Sequence, residues 1–418
     1  MARADETDER EITVRVTDRL SAVSPAAWDA CANPASRKAS PSDPRIGADE
    51  SNSAHETHNP FVSHAFLCAL EESGCVSAHT GWLPQHLIVE AANGQIRAAM
   101  PCYLKAHSQG EYVFDHGWAD AYDRAGGRYY PKLQVSVPFT PVTGPRLMVA
   151  PGPDAEVGRA TLLSAAIELC RRHHASSVHW TFLPKSDADW LGEAGMLLRT
   201  DRQFHWSNRG YRSFEDFLSD LSSRKRKAIR RERREATAAG IDIVRLTGAD
   251  ITEAHWDAFF AFYMDTGSRK WGRPYLNRRF FSLIGERMAD RIVLIMARRS
   301  GRWIAGALNL RGDSALYGRN WGCIEDHPFL HFEVCYYQAI EYAIANGLAR
   351  VEAGAQGEHK LARGYLPVTT RSAHFIADPG LRRAVADYLL RERAYVDLEN
   401  AALAAHAPFR RDACDRTD

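Results

Sequence analysis

Four side chains that carry charge or exchange protons stand close together towards the end of the chain. They are Glu358, His359, Lys360 and Arg363, within the glycine-rich segment 354–367. A glycine-rich turn that leaves a strand exposes backbone N–H groups and lets a ligand approach the main chain closely. Acid–base and anion-stabilising chemistry is therefore expected here, and the alternative is a charged loop that is merely solvated.

Lys360 is unusual for this composition. The chain has 8 lysines against 45 arginines, so most positions that need only a positive charge carry arginine. A lysine between His359 and Arg363 indicates a need for a compact, titratable ammonium group, which a guanidinium cannot replace. Gln356 of the same segment is assigned to substrate binding.

A second chemical feature is the strongly basic stretch 222–235, in which eight of fourteen side chains are Lys or Arg. Arg224, Lys227 and Arg231 recur at three- and four-residue steps, so they line one face of a helix predicted over 222–239. Such a face attracts the phosphates of a nucleotide-linked substrate or of RNA, and these three residues are predicted substrate contacts. The alternative is a solvated linker helix, which charge runs usually are.

Residues 115–145 form a long insertion rich in aromatic and proline residues. Its charged and polar residues include His116, Asp120 and Lys132. This composition is typical of a structured substrate loop, in which these three side chains contact the substrate. The alternative is a proline-braced lid with a structural role only.

Two predicted hairpins divide the chain into similar halves. Residues 87–100 read as two apolar strands around an Asn-Gly pair, the strongest short hairpin signal, and residues 293–308 repeat this around a Ser-Gly pair. An amphipathic helix and a strand follow each hairpin. The helices are 162–170 and 334–343, and the strands are 177–182 and 348–352. A period near half the chain favours duplicated domains, each with a mixed α/β sheet, over a short-repeat solenoid.

The predicted first domain covers residues 1–205 and the second covers residues 206–418. Within the first, residues 33–58 have almost no large apolar side chains. Because such a segment cannot bury a core, we expect a disordered insertion there. A helix should follow with Ser63 as its N-cap, and the second domain should open with the basic helix and a strand at 241–246.

The composition is that of a soluble globular protein. The chain has 418 residues, 45% apolar and 25% charged, with a formal net charge of +1, so any attraction to nucleic acid must come from a local patch. The first ten residues lack the apolar stretch of a secretory signal, and the longest aliphatic run, 292–297, is too short to span a bilayer. The 8 cysteines include no C-x-x-C pair. They indicate reduced thiols in a cytoplasmic protein, and the Arg-rich, Ala-rich composition suggests a bacterial source.

Three longer motifs resemble those of one protein family. Residues 59–71 (NPFVSHAFLCALE), 130–146 (YPKLQVSVPFTPVTGPR) and 354–364 (GAQGEHKLARG) resemble the opening helix, central signature and third signature of the Fem-like (FemAB-like) branch of the GNAT acyltransferase superfamily. Members of this bacterial group are described as peptidoglycan biosynthesis/recognition proteins. The resemblance covers nearly everything except residues 33–58 and the C-terminal tail. It implies an α/β (mixed α+β) fold of tandem GNAT-like, acyl-CoA N-acyltransferase-like domains.

The resemblance also implies a reaction. Fem ligases transfer an aminoacyl group from aminoacyl-tRNA to an amine of a peptidoglycan precursor. In those ligases a basic segment that resembles 224–231 touches substrate phosphate, and a lysine placed like Lys360 helps to stabilise the oxyanion. For amide formation, Lys360 or Arg363 would supply the positive charge and Glu358 or His359 would take the amine proton.

The acyl donor stays open between aminoacyl-tRNA and acetyl-CoA, with no tightly bound cofactor expected. GNAT enzymes that use acetyl-CoA hold its pyrophosphate on a glycine-rich loop at a helix N-terminus. The corresponding residues 321–331 are nearly free of glycine and carry Glu325 and Asp326, which we expect to repel phosphate. His327 and His331 have a spacing that would suit a metal, but Pro328 between them favours a loop or helix start, so no metal is expected.

Three functions therefore compete. The first is a Fem-like acyl or aminoacyl transferase, and the second is an acetyl-CoA-dependent N-acetyltransferase that recognises CoA without the usual loop. The third is a non-catalytic binding protein on the same fold, because a fold does not fix a function. The active cleft is predicted in the second domain.

Overall fold

The computed structural model describes residues 12–34, 58–270, 274–354 and 357–410. The strands are β1 (Ile12–Thr17), β2 (Trp82–Pro84), β3 (His86–Ala91), β4 (Ile96–Met100), β5 (Tyr103–Lys105), β6 (Lys132–Val135), β7 (Met148–Val149), β8 (Ser177–Leu183), β9 (Leu197–Ser207), β10 (Ile241–Thr247), β11 (Ile292–Arg299), β12 (Arg302–Arg311), β13 (Ala315–Cys323), β14 (Arg350–Glu352) and β15 (Leu366–Ile376). The helices are α1 (Pro25–Ala32), α2 (His64–Glu72), α3 (His116–Arg124), α4 (Ala155–Arg172), α5 (Lys185–Glu193), α6 (Phe214–Asp220), α7 (Ser223–Thr237), α8 (Glu253–Lys270), α9 (Arg278–Arg287), α10 (Leu330–Phe332), α11 (Gln338–Ala345) and α12 (Pro379–Ala405).

The chain forms two compact units. The first comprises residues 1–201 and 370–394, and the second comprises residues 202–369 and 395–418. The division into domains at 205 and 206 stays a prediction. The compact units differ from it in one respect, because residues 370–394 belong to the first unit although they come late in the chain.

In the first unit, β1 pairs antiparallel with β3, and β3 pairs antiparallel with β4, which also pairs with β7. β5 follows β4 after two residues and pairs antiparallel with β2 and β6. β6 pairs parallel with β8, and β8 pairs antiparallel with residues 371–376 of β15. The strand that completes this sheet therefore comes from the C-terminal part of the chain.

The second unit repeats this succession of pairings. β10, β11, β12 and β13 form an antiparallel meander. β13 then pairs parallel with β14, which pairs antiparallel with residues 205–207 of β9. β4 and β5 together take the place of β12, and β1, β3, β6, β8 and β15 correspond to β10, β11, β13, β14 and β9. β2 and β7 of the first unit have no counterpart among the described strands of the second. The predicted mixed α/β fold is confirmed, and the hairpin, helix and strand read twice in the sequence occur in both units.

Both predicted hairpins are present, and their turns explain why. At the first turn Gly94 has φ +78°, and at the second Ser300 and Gly301 have φ +50° and +79°. The second turn has two residues, and such turns favour positive φ because their twist matches the twist of the flanking strands. The first loop is longer: Ala91 N–H donates to the backbone oxygen of Gln95, and Gly94 takes the left-handed position of a three-residue loop. In the first hairpin Leu87, Val89, Ala98 and Met100 are buried in one apolar core.

The predicted helices form with boundaries close to those expected. The Ser63 side chain accepts a hydrogen bond from the backbone of Phe66 and so caps α2. The basic stretch forms α7, and Gly240 with φ +71° follows its end, in the conformation that favours glycine after a helix. In the described residues, no helix is both long enough and apolar enough to span a membrane.

Residues 115–145, which the sequence predicts only as a structured loop, contain a helix. α3 begins at His116, and its Trp118 and Ala119 are buried in a small core with Leu381 and Val385 of α12. The helix is short and most of its side chains are polar, so tertiary packing of these two residues stabilises it. Residues 35–57 of the predicted 33–58 insertion lie outside the described part of the chain.

Candidate active site

The second unit opens at the ends of its two parallel strands. β14 pairs with β13 only through Ala315–Tyr317, and among the described residues this pairing stops at Glu352. β13 continues to Cys323, and Arg319, Asn320 and Trp321 are only partly buried. Ligands commonly bind in the crevice beyond the carboxyl ends of parallel strands. This crevice, between the end of β13 and the segment that follows β14, is the candidate site.

A helical segment between β13 and β14 places aromatic rings at this crevice. α10 runs into one π-helical turn, Glu333–Tyr337, before α11; such turns occur frequently at functional sites. The rings of His331 and Trp321 lie 5.2 Å apart, and the rings of Phe332 and His359 lie 5.5 Å apart. One side of the crevice is therefore lined by aromatic and imidazole rings.

Lys360 lies on a short 3-10 helix, Glu358–Arg363, that begins after a glycine with φ +105°. Its side chain is buried, and Nζ donates to the backbone oxygens of Ala353 at 2.6 Å and Gly354 at 3.1 Å. Burial lowers the pKa of this ammonium to about 8, because desolvation disfavours the charged form. The lysine thus holds the turn that leaves β14, and it titrates near neutral pH.

Arg363 has a different environment. One nitrogen lies 2.8 and 2.9 Å from the two carboxylate oxygens of Glu232, and another donates to the backbone oxygen of His359 at 2.7 Å. The guanidinium also stacks on Phe332, 3.4 Å from the ring centre. Tyr337 donates its hydroxyl to the same carboxylate. The charge of Arg363 is therefore balanced inside the protein, which suits a role in positioning better than the stabilisation of a substrate anion.

His359 is exposed, and its Nε2 lies 3.0 Å from the hydroxyl oxygen of Tyr336. Burial raises the pKa of Tyr336, so the hydroxyl stays neutral and can either donate to the imidazole or accept from it. The predicted site residue Gln356 and the side chain of Glu358 lie outside the described part of the structure. Of the four predicted catalytic residues, the structure brings His359, Lys360 and Arg363 together on one turn.

The basic helix α7 has two different faces. Arg224 and Lys227 are exposed and have no acidic partner among the described residues, while Arg231 lies 3.5 Å from Glu235. On the inward side Ile229 is buried. Glu232 and Arg233 extend this side: Glu232 binds Arg363, and Arg233 pairs with Glu333 at 2.8 Å and Glu341 at 2.6 Å. The inward face thus joins the helix to the candidate site and leaves the three predicted phosphate contacts on the surface.

Sequence reasoning missed Glu232, Phe332, Tyr336 and Tyr337. For Glu232 a signal was present, because an acidic residue within a run of eight basic ones marks a position that needs a carboxylate. The three aromatic residues carried no signal, since their role depends on the π-helical turn and on partners more than twenty residues away.

The loop at 321–331 is less repulsive to phosphate than its sequence implied. The carboxylate of Glu325 lies 2.8 Å from Arg299 and 2.9 Å from His327, and it also pairs with Arg302. Asp326 remains exposed. The charge of Glu325 is therefore compensated. Only Asp326 of the two acidic residues remains to repel a phosphate.

His327 and His331, whose spacing alone would suit a metal, and the neighbouring Glu333 all have other surroundings. His327 binds Glu325, Glu333 binds Arg233 and Gln338, and His331 lies among aromatic rings. The described residues contain no group of three or more His, Cys, Asp or Glu side chains arranged to hold a metal ion.

Three predicted substrate residues lie in the first unit. His116 and Asp120 are exposed on α3, and His116 stacks on Phe114 with 6.3 Å between ring centres. Lys132 is fully buried: Nζ lies 2.7 Å from Glu111 and 2.5 Å from Asp115. These carboxylates raise the pKa of Lys132 against the effect of burial, which lowers it. Lys132 is thus an internal ion-paired residue, and only His116 and Asp120 are accessible to a substrate.

The first unit has the corresponding parallel pair, β6 and β8, but its crevice is filled. Arg146 is fully buried and donates from Nε to the backbone oxygen of Thr181 at 3.0 Å. Its other nitrogens donate to the backbone oxygens of Val142 at 2.8 Å and Gly144 at 3.1 Å. A guanidinium that binds carbonyls on both sides closes the space beyond the strand ends. Arg146 thus distinguishes the strand ends of the first unit from those of the second.

Comparisons with known proteins identify one family. The sequence model of a family described as FemAB-like, peptidoglycan biosynthesis/recognition, matches residues 19–411. This is the family that the three sequence motifs resemble. No curated protein sequence gave a match.

Several solved structures are similar at low identity. One is a tandem GNAT protein from the clavulanic acid biosynthesis pathway, with 12% identity, coverage of 88% of this chain and 99% of that chain, and a TM-score of 0.44. A second is FemX, with 11% identity, coverage of 74% and 92%, and a TM-score of 0.46. A third is L-PGS from Bacillus licheniformis, with 9% identity, coverage of 82% and 96%, and a TM-score of 0.46.

Proposed function

The chain belongs to the FemAB-like family of peptidoglycan biosynthesis/recognition proteins, and we propose that it is an acyl or aminoacyl transferase. In this proposal it forms an amide on an amine acceptor, at the crevice of the second unit. The family description favours a peptidoglycan precursor as the source of the amine.

One observation carries the proposal. Lys360 is a buried amine with a pKa lowered to about 8, and it is held by two backbone carbonyls at the open end of a parallel strand pair. An ammonium has three N–H donors, and two of them bind Ala353 and Gly354. Among the described residues the third has no oxygen or nitrogen acceptor, and Nζ lies 6.0 Å from the ring centre of Phe204. This N–H is therefore left for a substrate oxygen. The filled crevice of the first unit offers no comparable group.

The chemistry follows from these positions. A neutral acceptor amine attacks the carbonyl carbon of the acyl donor, and the C–N bond forms as the carbonyl electron pair moves to oxygen. Lys360 donates a hydrogen bond to this oxyanion, which is the main electrostatic contribution expected in such a site. The electron pair returns as the bond to the leaving oxygen or sulfur breaks. The amine proton passes to a base, and the leaving group takes up a proton.

His359 is the proposed base, with Glu358 as the alternative that the sequence leaves open. If His359 Nε2–H donates to the neutral hydroxyl of Tyr336, then Nδ1 carries the lone pair that accepts the amine proton. Arg363 is a positioning residue in this scheme. It fixes the backbone oxygen of His359 and ties the turn to Glu232 of α7.

The exposed Arg224, Lys227 and Arg231 favour a donor or acceptor that carries phosphate, and we propose aminoacyl-tRNA as the donor. Acetyl-CoA is retained as a second candidate because of one observation. Glu325 is neutralised by Arg299, Arg302 and His327, so the loop before α10 repels a pyrophosphate less than its composition implied.

Titration of the purified full chain tests the donor. We expect aminoacyl-tRNA to bind at low salt, while acetyl-CoA gives no saturable heat in calorimetry at micromolar concentrations. Micromolar affinity for acetyl-CoA would replace the proposal with the ordinary N-acetyltransferase. If neither donor bound, the non-catalytic alternative would stand. Uncharged tRNA serves as the control for the aminoacyl group.

A further inference from the structure

The first unit contains a cavity of about 420 Å³ that the proposed reaction does not use. Its walls come from the start of β9, the middle of α5, residues 371–372 of β15 and the middle of α12. Small-molecule sites typically have volumes of about 300–1,000 Å³, so the cavity has the size of a ligand site. All of its lining residues belong to the first unit.

Much of the wall is apolar. Met196, Leu197 and Leu198 line one side, and Leu389 and Leu390 of α12 line another. Leu390 remains 62% exposed, so an apolar edge faces solvent at this cavity. A ligand that covers this edge removes apolar surface from water, which is favourable.

The charges around the cavity are predominantly positive. Three arginines and one acid line it, namely Arg199, Arg371, Arg393 and Asp189. Asp189 is paired with Lys185 at 2.6 Å, and Arg199 is occupied by both carboxylate oxygens of Glu392. Arg393 is the arginine of this wall whose charge bears on a ligand.

Arg393 is the best placed of these to bind an anion. It donates one N–H to the backbone oxygen of Leu198, and it has no acidic partner among the described residues. A guanidinium carries five donors in a planar fork, so most of them are available. Carboxylates and phosphates match this geometry.

A hydroxyl adds to the same wall. Thr200 Oγ1 is buried and has no hydrogen-bond partner among the described residues, although Thr200 lines the cavity. Leaving a buried hydroxyl unpaired is unfavourable. An oxygen of a bound ligand would satisfy it.

We propose that this cavity binds a small amphipathic anion, with an apolar chain against the leucines and a carboxylate or phosphate at Arg393. The apolar wall excludes a fully polar anion as a good ligand. The unpaired positive charge disfavours an amphipathic cation. The proposal does not depend on the transferase reaction.

Calorimetry of the full chain tests it with octanoate and octyl phosphate, each below its micelle concentration, and with octanol and octylammonium as matched controls. We expect saturable binding of at least one anion, and at least about tenfold weaker binding of both controls, from the loss of a charge-assisted hydrogen bond. The two anions separate a carboxylate source from a phosphate source. Equal binding of octanol and both anions would overturn the charge assignment.

Two substitutions locate the binding. Arg393→Gln, which keeps a donor for Leu198, should weaken the anion about tenfold, whereas Arg391→Gln on the exposed side of the same helix should not. Ala386→Met should fill the cavity and abolish binding, with Ala384→Met as its control. Thermal unfolding confirms that each variant is folded. Unchanged binding in both Arg393→Gln and Ala386→Met would place the ligand elsewhere and refute the proposal.

Discussion

Lys360 has a structural role that the structure shows, and the proposed reaction adds a chemical one. Burying an ammonium is unfavourable, and the two carbonyls of the turn after β14 offset part of that cost. Its lowered pKa follows from the same burial. An arginine would bring a larger, permanently charged group to this position.

The pH dependence of the reaction tests this residue. The pKa of Lys360 is about 8, so its cationic form is lost as the pH rises through that value. If the cation stabilises the oxyanion, kcat/KM should fall above about pH 8. Lys360→Met should lower kcat on the order of 10²-fold, as the loss of one oxyanion donor usually does. Lys360→Arg should remove the fall at high pH.

The fall of kcat/KM above about pH 8 is the decisive readout. A merely structural lysine would lower activity through misfolding in both variants, with no change in the shape of the pH–rate profile. If kcat/KM of Lys360→Arg still fell above about pH 8, the fall would have to come from the titration of another group. Circular dichroism of each variant controls for folding.

The residue scale also shows where sequence reasoning stops. The scarcity of lysine singled out Lys360, and the structure places it, buried, on the turn that follows β14. Arg363 belongs to the same motif, yet its partner Glu232 lies 131 residues away in the chain. Nothing in the local sequence shows that pairing. The charge of a side chain can thus be read from sequence, while its neutralisation cannot.

At the scale of elements, helix α7 packs one face against the protein and exposes the other to solvent. Its inward carboxylate holds Arg363 and its inward Arg233 binds two glutamates. Arg224 and Lys227 are left without acidic partners among the described residues. The helical period predicted this division of faces correctly, because three- and four-residue spacing determines which side chains share a face.

The salt dependence of binding tests the outer face. Each phosphate contact made by a cation adds to the slope of log K against log salt, by about 0.7 for a single strand and 0.9 for a duplex. We expect Arg224→Gln and Lys227→Gln to lower this slope by about that amount each for tRNA. Arg383→Gln, an exposed arginine on α12, should leave it unchanged. Equal effects of all three substitutions would indicate only a general loss of positive charge.

Other elements show the limits of pattern reading. The two hairpins were predictable because their turns need positive φ and carry Asn, Ser and Gly. α3 was not predicted, since only Trp118 and Ala119 of its residues are buried. The π-helical turn at 333–337 was read as ordinary helix, because its wider hydrogen bonding leaves no mark on the apolar spacing.

At the scale of the whole molecule, two units share one order of strands and have diverged at equivalent places. The first fills the crevice beyond its parallel strands with Arg146, and the second leaves it open. The sequence predicted the repeat from two hairpins. It did not predict that residues 370–394 complete the first unit, because β15 pairs with a strand almost 200 residues earlier. In the proposed function, the reaction belongs to the second unit and leaves the first unit for other uses.

The first unit also buries two neutral histidines. Nδ1 of His179 lies 2.7 Å from Nδ1 of His374, so one ring donates and the other accepts. Protonating both would place two N–H groups against each other. Burial, with Lys132 and Arg199 adding to it and Asp115 opposing it, lowers the pKa of His179 to about 3. The pKa of His374 is also well below its usual value, chiefly through burial.

Acid should therefore destabilise this unit well above the range of ordinary carboxylates. An unfolded histidine has a pKa of about 6.5. Below that pH the unfolded state therefore binds protons that the folded state does not bind. The stability from these histidines is complete above pH 6.5 and is lost as the pH falls towards 3. The pair alone should lower the free energy of unfolding by up to about 2.7 kcal/mol per pH unit below 6. His205 of the second unit, whose pKa is also lowered by burial, should add to that slope.

Urea unfolding between pH 4.5 and 7 measures the total slope, and His374→Gln should remove about half of the part contributed by the pair, because one of its two protons is removed. His116→Gln, which changes an exposed histidine on α3, should leave it unaltered. The window stops at pH 4.5 because Asp115, whose pKa is held well below its usual value, begins to contribute below it. A free energy of unfolding that stays constant from pH 6.5 to 4.5 would mean that the pair accepts a proton without cost. The polar interior of the first unit would then be solvated and open, and the buried, neutral histidine pair described by the structure would be wrong.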